Sequence, residues 1–460
     1  MKKSQYSRRH FLKNQCASMG ATTLLSSSLQ LLSSQVLAAD TQRNDYKALV
    51  CVLLAGGNDS FNMVVPLESG SYNDYRTTRS DLALPQQALL PISPQGEVNN
   101  SYGFHPAMTA MQSLFEQQQL AVMANVGTLS QPLTRAEEAT QARVPLGLYS
   151  HSDQITQWQT ALSDRRSATG WAGRMADLLQ SSQQTPLPMN ISVGESNIFQ
   201  TGTQVGEYSI APGFGAQNIE GYTGENEIFT GQKSAIDQLL AQTYQHVFRR
   251  AIANKTKQYI ETNQIFNSAI QQASPLTTRF STSEFSQSLK MIADTIAVRS
   301  VLNANRQTFF VVLGGWDHHD ELLNNQQRLL TILSQGLSEF QQAINEQGLG
   351  QQVTTFTISD FGRTLTSNGR GSDHGWGGNQ LVMGGAVNGG RFYGQYPSLA
   401  SGNSLDTGRG RLVPTTSSDV FFAELALWFG VSPNDLSMIL PNLQRFYSLS
   451  SNAKPLGFMV

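Results

Sequence analysis

Apolar and polar positions follow two patterns along this chain. Short runs rich in Val, Ile, Leu and Phe predict strands buried on both faces of a sheet. Apolar residues spaced three and four apart predict helices with one buried side. The strand-like runs cover residues 46–54, 120–126, 189–193, 307–313, 352–358 and 380–383. Helical patterns lie between several runs, a repeat that builds parallel sheets. We therefore predict an α/β fold with a doubly wound, mostly parallel sheet flanked by helices.

Residues 40–460 are predicted to form one domain with insertions, because no internal repeat and no clear linker divides them. The spacing of apolar residues predicts helices over residues 107–118 and 171–179. Residues 194–230 are Gly-rich and irregular, which is typical of a lid or an excursion from the core. Residues 234–303 are predicted to be mostly helical.

The N-terminal segment, residues 1–39, has the pattern of a twin-arginine signal peptide. Residues 7–13 read Ser-Arg-Arg-His-Phe-Leu-Lys, and a mildly apolar region ends in small residues at positions 38 and 39. Serines interrupt this region too often for a stable membrane span. We therefore expect the twin-arginine translocase as a partner during export, and a periplasmic or secreted location.

Charge and cysteine content exclude some classes of protein. The formal net charge is −2, and removal of residues 1–39, which hold five basic residues and no acidic one, changes it to −7. An acidic chain of this kind does not indicate a nucleic-acid partner. Cys51 would be the one cysteine left, and its apolar surroundings predict a core residue.

The densest group of polar side chains follows the run at residues 307–313. Two glycines come next and allow a sharp turn, and Asp317, His318, His319 and Asp320 then lie in the loop. A loop at the end of a buried strand is a common position for functional residues. The alternative is an ordinary polar turn, so the functional interpretation depends on partners elsewhere in the chain.

Such partners exist, since Asp59, Asp317 and Asp360 each follow a strand-like run. Ligands of open parallel sheets bind outside the carboxyl ends of the strands, where these aspartates would converge. His319 and His374 are close in sequence to two of them. Carboxylate and imidazole together suit a divalent metal such as zinc or manganese. The sequence thus predicts a metal site, and the chemistry that such a site serves is hydrolysis or group transfer at phosphorus or sulfur.

Two further residues are candidates for catalysis. Arg363, three residues after Asp360, would be placed to bind an anionic ester oxygen, although it could also be an ordinary surface arginine. Ser150, beside His151, is the candidate nucleophile, with Ser60 as a second choice.

Four motifs occur in order behind the signal and together resemble a known family. They are Gly-Gly-Asn-Asp-Ser-Phe-Asn at 56–62, Gly-Gly-Trp-Asp-x-His at 314–319, Ser-Asp-Phe-Gly-Arg-Thr at 359–364 and Ser-Asp-His-Gly at 372–375. This order resembles the secreted domain-of-unknown-function 1501 family. That family is similar in plan to the alkaline phosphatase and sulfatase superfamily, which implies an alkaline-phosphatase-like fold with a metal centre at the strand ends.

The resemblance also implies a ligand set for a divalent metal, either zinc, manganese or calcium. The first-strand ligand, the central Asp and His pair, the later strand-end Asp and the final His would be Asp59, Asp317, His319, Asp360 and His374. Asp373 matches an Asp-His-Gly motif of the superfamily, so the choice between Asp360 and Asp373 stays open.

The chain departs from the superfamily at two points. Phe361 stands where a histidine would follow Asp360, and the sulfatase nucleophile motif Cys-x-Pro-x-Arg is absent. Two hypotheses follow. The first is an exported metal-dependent hydrolase acting on a small anionic ester. The second is a catalytically inactive sulfatase-fold protein that serves as a periplasmic binding or assembly factor.

Overall fold

The computed structural model describes residues 46–96, 101–140, 143–179, 187–217, 219, 222, 226–450 and 453–460. The predicted signal peptide lies outside the described residues, and so do parts of the predicted lid. None of the described helices has both the length and the apolar character needed to cross a membrane.

The described strands form one large sheet and one small sheet. The strands are β1 Lys47–Ala55, β2 Val64–Pro66, β3 Leu90–Ile92, β4 Tyr102–Phe104, β5 Leu120–Gly127, β6 Asn190–Val193, β7 Tyr208–Ile210, β8 Arg306–Gly314, β9 Val353–Ser359, β10 Gly378–Met383, β11 Phe392–Tyr393 and β12 Thr416–Ser417. The large sheet has the order β11-β5-β10-β9-β1-β8-β6-β7, with β12 beside β5, and β2, β4 and β3 form the small antiparallel sheet. Within the large sheet, β10 is antiparallel to both neighbours and the other described pairings are parallel. The prediction of a mostly parallel sheet is confirmed.

Helices cover both faces of the large sheet. They are α1 Ser60–Met63, α2 Ser69–Arg79, α3 Thr109–Glu116, α4 His151–Thr160, α5 Trp171–Leu179, α6 Glu227–Ala241, α7 Val247–Ile270, α8 Glu284–Ala297, α9 Leu322–Glu346, α10 Ser418–Phe429 and α11 Leu436–Ile439. The helix predicted at 171–179 matches α5. The helix predicted at 107–118 is shorter, because Met108 is not helical and Gln118 has a φ of +60°.

Alternate residues of β1 enter two separate cores. Val50 and Val52 pack in the core that α8 and α9 cover, whereas Cys51 and Leu53 pack in the core that α5 and α10 cover. This two-sided burial explains why the strand is apolar without interruption. Cys51 is fully buried, as predicted.

Three central strands end at the same edge of the sheet. β1 pairs in parallel with β9 on one side and β8 on the other, with Leu54 opposite Ser359 and Ala55 opposite Gly314. The loops after these strands therefore meet. Gly56 has a φ of +120°, and a Cβ there would lie 2.4 Å from the backbone nitrogen of Asp317. Only glycine lets the two loops approach so closely.

The predicted insertions contain regular structure. β7 lies inside the predicted lid at 194–230 and extends the large sheet beside β6. The region predicted to be helical, 234–303, contains most of α6 and all of α7 and α8.

A buried ion pair fixes the turn after β1. Asp59 and Arg79 are both fully buried, and the carboxylate accepts a hydrogen bond from the guanidinium. Nη1 of Arg79 also donates to the carbonyl oxygens of Thr364, at 3.0 Å, and Leu365, at 3.2 Å. Arg79 thus connects the turn after β1 with the loop after β9.

We expect Arg79→Ala to lower the free energy of unfolding by roughly 3–5 kcal/mol, because it leaves the Asp59 carboxylate buried without its cation. Arg76→Ala is the matched control on the same helix. Arg76 is exposed and donates to Asn73, so its loss should change stability by less than about 0.5 kcal/mol. Urea denaturation followed by circular dichroism measures both. Equal effects of the two substitutions would contradict the structural role of the buried pair.

Candidate metal centre

Three segments bring polar side chains to the shared edge of the sheet. The loop after β8 carries Asp317 and His319, the loop between β9 and β10 carries His374, and α4 begins at His151. The backbone of Arg363 bridges that of His374, which folds the β9–β10 loop back on itself. These positions come from separate parts of the chain and meet only in the folded protein.

Trp158 packs helix α4 against the end of β9 and so determines the position of the first turn of the helix. Trp158 is 1% exposed, and its indole nitrogen donates to the carbonyl oxygen of Asp360 at 3.2 Å. His151 lies seven residues earlier and therefore on the same side of the helix. Packing of Trp158 in the core thus directs His151 toward the end of β9.

The Nε2 atoms of three histidines meet beside one carboxylate. Nε2 of His374 is 3.1 Å from Nε2 of His151 and 3.0 Å from Nε2 of His319. Asp317 Oδ1 is 3.0 Å from Nε2 of His319 and 3.5 Å from Nε2 of His374, and its Oδ2 is 3.5 Å from Nε2 of His151. Ligand atoms of His151, Asp317 and His374 all lie within 4.8 Å of one another, so these residues could hold a metal ion.

The other ring nitrogen of each histidine is bonded to an oxygen. A carboxylate or a carbonyl oxygen can only accept, so each Nδ1 carries a proton and each neutral ring keeps a lone pair on Nε2. The three bonds run from His151 to Asp360 Oδ2 at 2.6 Å, from His319 to Asp373 Oδ1 at 3.0 Å and from His374 to the Tyr149 carbonyl at 2.7 Å.

This arrangement fits a tetrahedral metal ion. Two facing lone pairs cannot bond to each other, so nitrogens 3.0 Å apart need a cation or a proton between them. Bonds of ~2.0–2.1 Å in a tetrahedral zinc site separate neighbouring ligand atoms by ~3.3–3.4 Å. The separations of Nε2 of His374 from the other two Nε2 atoms, and of each Nε2 from one of the two Asp317 oxygens, run from 3.0 to 3.5 Å. A histidine that binds a metal through one ring nitrogen usually donates a hydrogen bond to an oxygen through the other, and each Nδ1 here has such a partner.

Charges around the group set its protonation. The hydrogen bond that His151 donates to Asp360 raises the pKa of His151, whereas burial lowers the pKa of His374. Burial also acts to raise the pKa of Asp317, but the hydrogen bond and charge of Arg363 outweigh it and lower that pKa. Asp317 is therefore ionised at neutral pH.

Asp360 and Asp373 are the two alternative metal ligands predicted from the sequence. Each accepts a hydrogen bond from Nδ1 of a histidine, on the side of the ring opposite Nε2. Asp360 is fully buried and accepts from the backbone of Gly56 at 3.0 Å as well as from His151. Burial acts to raise the pKa of Asp373, but hydrogen bonds from Asn368, Arg409 and His319 hold it at about 2. In this structure both carboxylates orient imidazoles and do not face the Nε2 atoms.

Two predicted site residues point elsewhere. Arg363 is 1% exposed and donates to Asp317 Oδ1 at 2.9 Å and to the Ser372 carbonyl at 2.9 Å. It is neither an ordinary surface arginine nor directed at the solvent side, where an ester would enter. Asp59, expected as the first-strand ligand, is instead bonded to Arg79.

The candidate nucleophiles also have other contacts. Ser150 precedes α4, and its Oγ lies 3.3 Å from Oγ of Ser152. Ser60 is 1% exposed, and its Oγ accepts from the backbone of Asn379 at 2.8 Å. The structure brings neither hydroxyl into the group of Asp317 and the three histidines.

His151 is the member of the group that the sequence patterns did not identify as a ligand. It follows no strand, so the rule of aspartates and histidines at strand ends does not reach it. The spacing of seven residues between His151 and the buried Trp158 is a signal that could have placed His151 on an inward side of α4.

Some solved structures are similar to this chain. The zinc complex of the C-terminal periplasmic domain of EcEptC from Escherichia coli has 10% identity, covers 90% of this chain and 92% of its own, and has a TM-score of 0.35. The PsFucS1 sulfatase from Pseudoalteromonas sp. has 8% identity, covers 87% and 72%, and has a TM-score of 0.34. A protein of the alkaline phosphatase superfamily from Vibrio parahaemolyticus has 10% identity, covers 76% and 62%, and has a TM-score of 0.31. With TM-scores of this size, the likenesses say nothing about the substrate or reaction of this chain.

The amino-acid sequence identifies the family of the chain. The chain has no significant match among curated proteins. Residues 46–435 match the family model described as "Protein of unknown function (DUF1501)". This match spans all four motifs and most of the chain, as the resemblance of the motifs predicted. The chain therefore belongs to the DUF1501 family.

Proposed function

We propose that this protein is a metal-dependent hydrolase acting on a phosphate or sulfate ester. The observation that carries the proposal is the meeting of three imidazole Nε2 atoms beside the Asp317 carboxylate, with each Nδ1 bonded to an oxygen. Within the described residues, the Nε2 atoms lie against one another and against the Asp317 carboxylate, and no hydrogen-bond donor of another residue meets these nitrogens. This arrangement suits a divalent cation, which supplies the electrostatic stabilisation that ester hydrolysis needs.

Among the metals predicted from the sequence, the nitrogen and oxygen ligands of this group favour zinc. Three imidazoles and one carboxylate match the nitrogen and oxygen ligands of zinc, and manganese accepts carboxylate with imidazole. Calcium takes six to eight oxygen ligands, which this group does not offer. When bound, the metal would polarise the ester oxygen and lower the pKa of a water molecule.

The protein residues hold this geometry and leave it open to a substrate. Asp360 orients His151, Asp373 orients His319, and Arg363 fixes one oxygen of Asp317. The side chains of Asp317 and His319 are nearly half exposed, so a small ester can reach them. Arg363 then contributes by positioning Asp317 and not by binding the ester, because its donors point into the protein.

The location of the protein is part of the proposal. The twin-arginine pattern at residues 7–13 supports export to the periplasm or beyond. That route carries folded proteins, which suits a chain that binds its metal before export.

We expect the purified protein to contain about one equivalent of zinc or manganese per chain, because His151, Asp317 and His374 form a single group of possible ligands, with His319 beside it. His374→Ala should remove most of the metal, since His374 lies nearest to the other two imidazoles. His246→Ala is the matched control, because His246 lies far along the chain, just before α7. Elemental analysis and circular dichroism measure metal content and folding. A folded wild-type chain that binds neither metal would overturn the proposal.

We expect Asp360→Asn to weaken metal binding roughly 10- to 100-fold, because Asp360 holds the Nδ1 proton of His151. Asp320→Asn, in the adjacent loop, removes an exposed carboxylate that pairs with Arg370 and should leave affinity unchanged. Competition with a chelating dye gives both affinities. Equal affinity in the two variants would show that His151 needs no orientation by Asp360.

Hydrolysis itself is tested with p-nitrophenyl phosphate and p-nitrophenyl sulfate. The metal-loaded protein should release p-nitrophenol from one of them, and His374→Ala should lower kcat/KM at least about 100-fold, because the loss of a ligand removes the metal-supplied stabilisation. His246→Ala is again the control.

Metal retention without turnover of any phosphate or sulfate ester would reject the hydrolase. It would favour the inactive binding or assembly factor, in which the same residues only stabilise the fold.

A further inference from the structure

A second feature lies far along the chain from the metal centre, in α6 and the first half of α7. We call residues 227–259 the helical arm. α6 contains no buried residue, and within residues 247–259 only Ala253 is buried. Packing against the body therefore contributes little to this segment.

The helical arm carries large apolar side chains on its surface. Phe248 is 70% exposed and Ile252 is 67% exposed. Single exposed apolar residues are common, but several in one short segment mark a surface that contacts something else. The exposed large apolar residues of the arm are Ile228, Leu239, Val247, Phe248, Ile252 and Tyr259.

The part of the helical arm after α6 concentrates positive charge, whereas α6 itself carries Glu227, Lys233 and Asp237. Residues 242–260 contain Arg249, Arg250, Lys255 and Lys257 and no acidic residue, in a chain whose net charge is −2. All four basic side chains are exposed. None of them joins an ion pair within the described part of the chain. Their charge is therefore available to an external anionic partner.

The apolar and basic positions are arranged around one helix. Phe248, Ile252 and Tyr259 are spaced four and seven residues apart, which places them along one side of α7. Arg249 and Lys255 lie on the two flanks of that side, whereas Arg250 and Lys257 lie on the opposite side of the helix. An exposed apolar stripe between cations is the pattern of helices that lie in the interface of a lipid bilayer.

We propose that the helical arm docks the protein onto an anionic phospholipid surface. Phe248 and Ile252 would enter the boundary between headgroups and acyl chains, and Arg249 and Lys255 would meet the phosphates. Charge favours this partner over a second copy of the chain. A symmetric dimer formed through this face would bring Arg249 and Lys255 of one copy toward the same two residues of the other.

The test is co-sedimentation of the full chain with vesicles of phosphatidylglycerol and phosphatidylcholine in equal amounts, and with vesicles of phosphatidylcholine alone. We expect binding to the mixed vesicles, weaker binding to the neutral ones, and a loss of binding as salt is raised. Arg249→Gln with Lys255→Gln should weaken binding to the mixed vesicles roughly 30-fold. Arg165→Gln with Arg166→Gln removes two exposed cations elsewhere on the surface and should have no effect.

The apolar stripe is tested separately. Phe248→Ala with Ile252→Ala should lower vesicle binding about tenfold or more, because the buried apolar area is lost. Met438→Ala, at another exposed apolar side chain, is the control. All variants carry the same N-terminal segment, so a difference between them comes from the substituted residues.

Several outcomes would overturn the proposal. Equal binding to both kinds of vesicle, or equal loss in test and control variants, would show that the arm does not recognise an anionic bilayer. A concentration-dependent dimer that Phe248→Ala disrupts, with no vesicle binding, would assign the surface to a second copy. Metal content and ester hydrolysis should be unchanged in the arm variants, so this proposal can fail independently of the proposed function.

Discussion

The hydrogen bonds to three Nδ1 atoms are the constraint on which the rest of the site depends. Each bond holds one ring by its Nδ1, so the Nε2 atoms of His151 and His319 both face Nε2 of His374. Rotation of any ring would break a bond to a carboxylate or carbonyl. The protein thus keeps three mutually repelling lone pairs together by satisfying the opposite side of each ring.

The sheet supplies the rigidity that these bonds need. Asp360 directly follows β9, whose neighbour β1 provides the backbone of Gly56 as a second donor to the same carboxylate. Trp158 holds α4 against the same residue. Asp360 therefore connects two strands and one helix while it orients His151. Burial of a carboxylate is costly unless it is fully bonded, and here both oxygens have partners.

The sequence predicted the part of this site that follows strands. Asp317, His319 and His374 are recognisable because buried strands and glycine-rich turns precede them in motifs that the family shares. His151 is different, because a helix brings it to the site and its position depends on how Trp158 packs in the core. Packing of this kind is a tertiary property that local patterns do not encode. The choice between Asp360 and Asp373 stayed open for the same reason. The sequence shows which carboxylates lie close to a histidine along the chain, but not which of their atoms faces the imidazole.

The fold could be predicted from the sequence more completely than the roles of individual charged residues. Uninterrupted apolar runs mark strands buried on both faces, so the order of strands and helices was predictable. Asp59 and Arg363 show the limit of that approach. Both occupy the expected strand ends, yet Arg79, twenty residues along the chain from Asp59, neutralises Asp59, and Asp317 draws Arg363 inward. A long side chain can turn toward either solvent or protein, and only the three-dimensional arrangement of charges decides which.

The charge of the whole group bears on the proposed substrate. Three carboxylates (Asp317, Asp360 and Asp373) and two guanidinium groups (Arg363 and Arg409) lie in this group, so its charges sum to −1 when the imidazoles are neutral, as metal ligands must be. The protein alone is therefore negative at this position and would repel an anionic ester. A divalent cation reverses the sign and leaves one excess positive charge. The same ion that the lone pairs require would thus also make the site attractive to a phosphate or sulfate group.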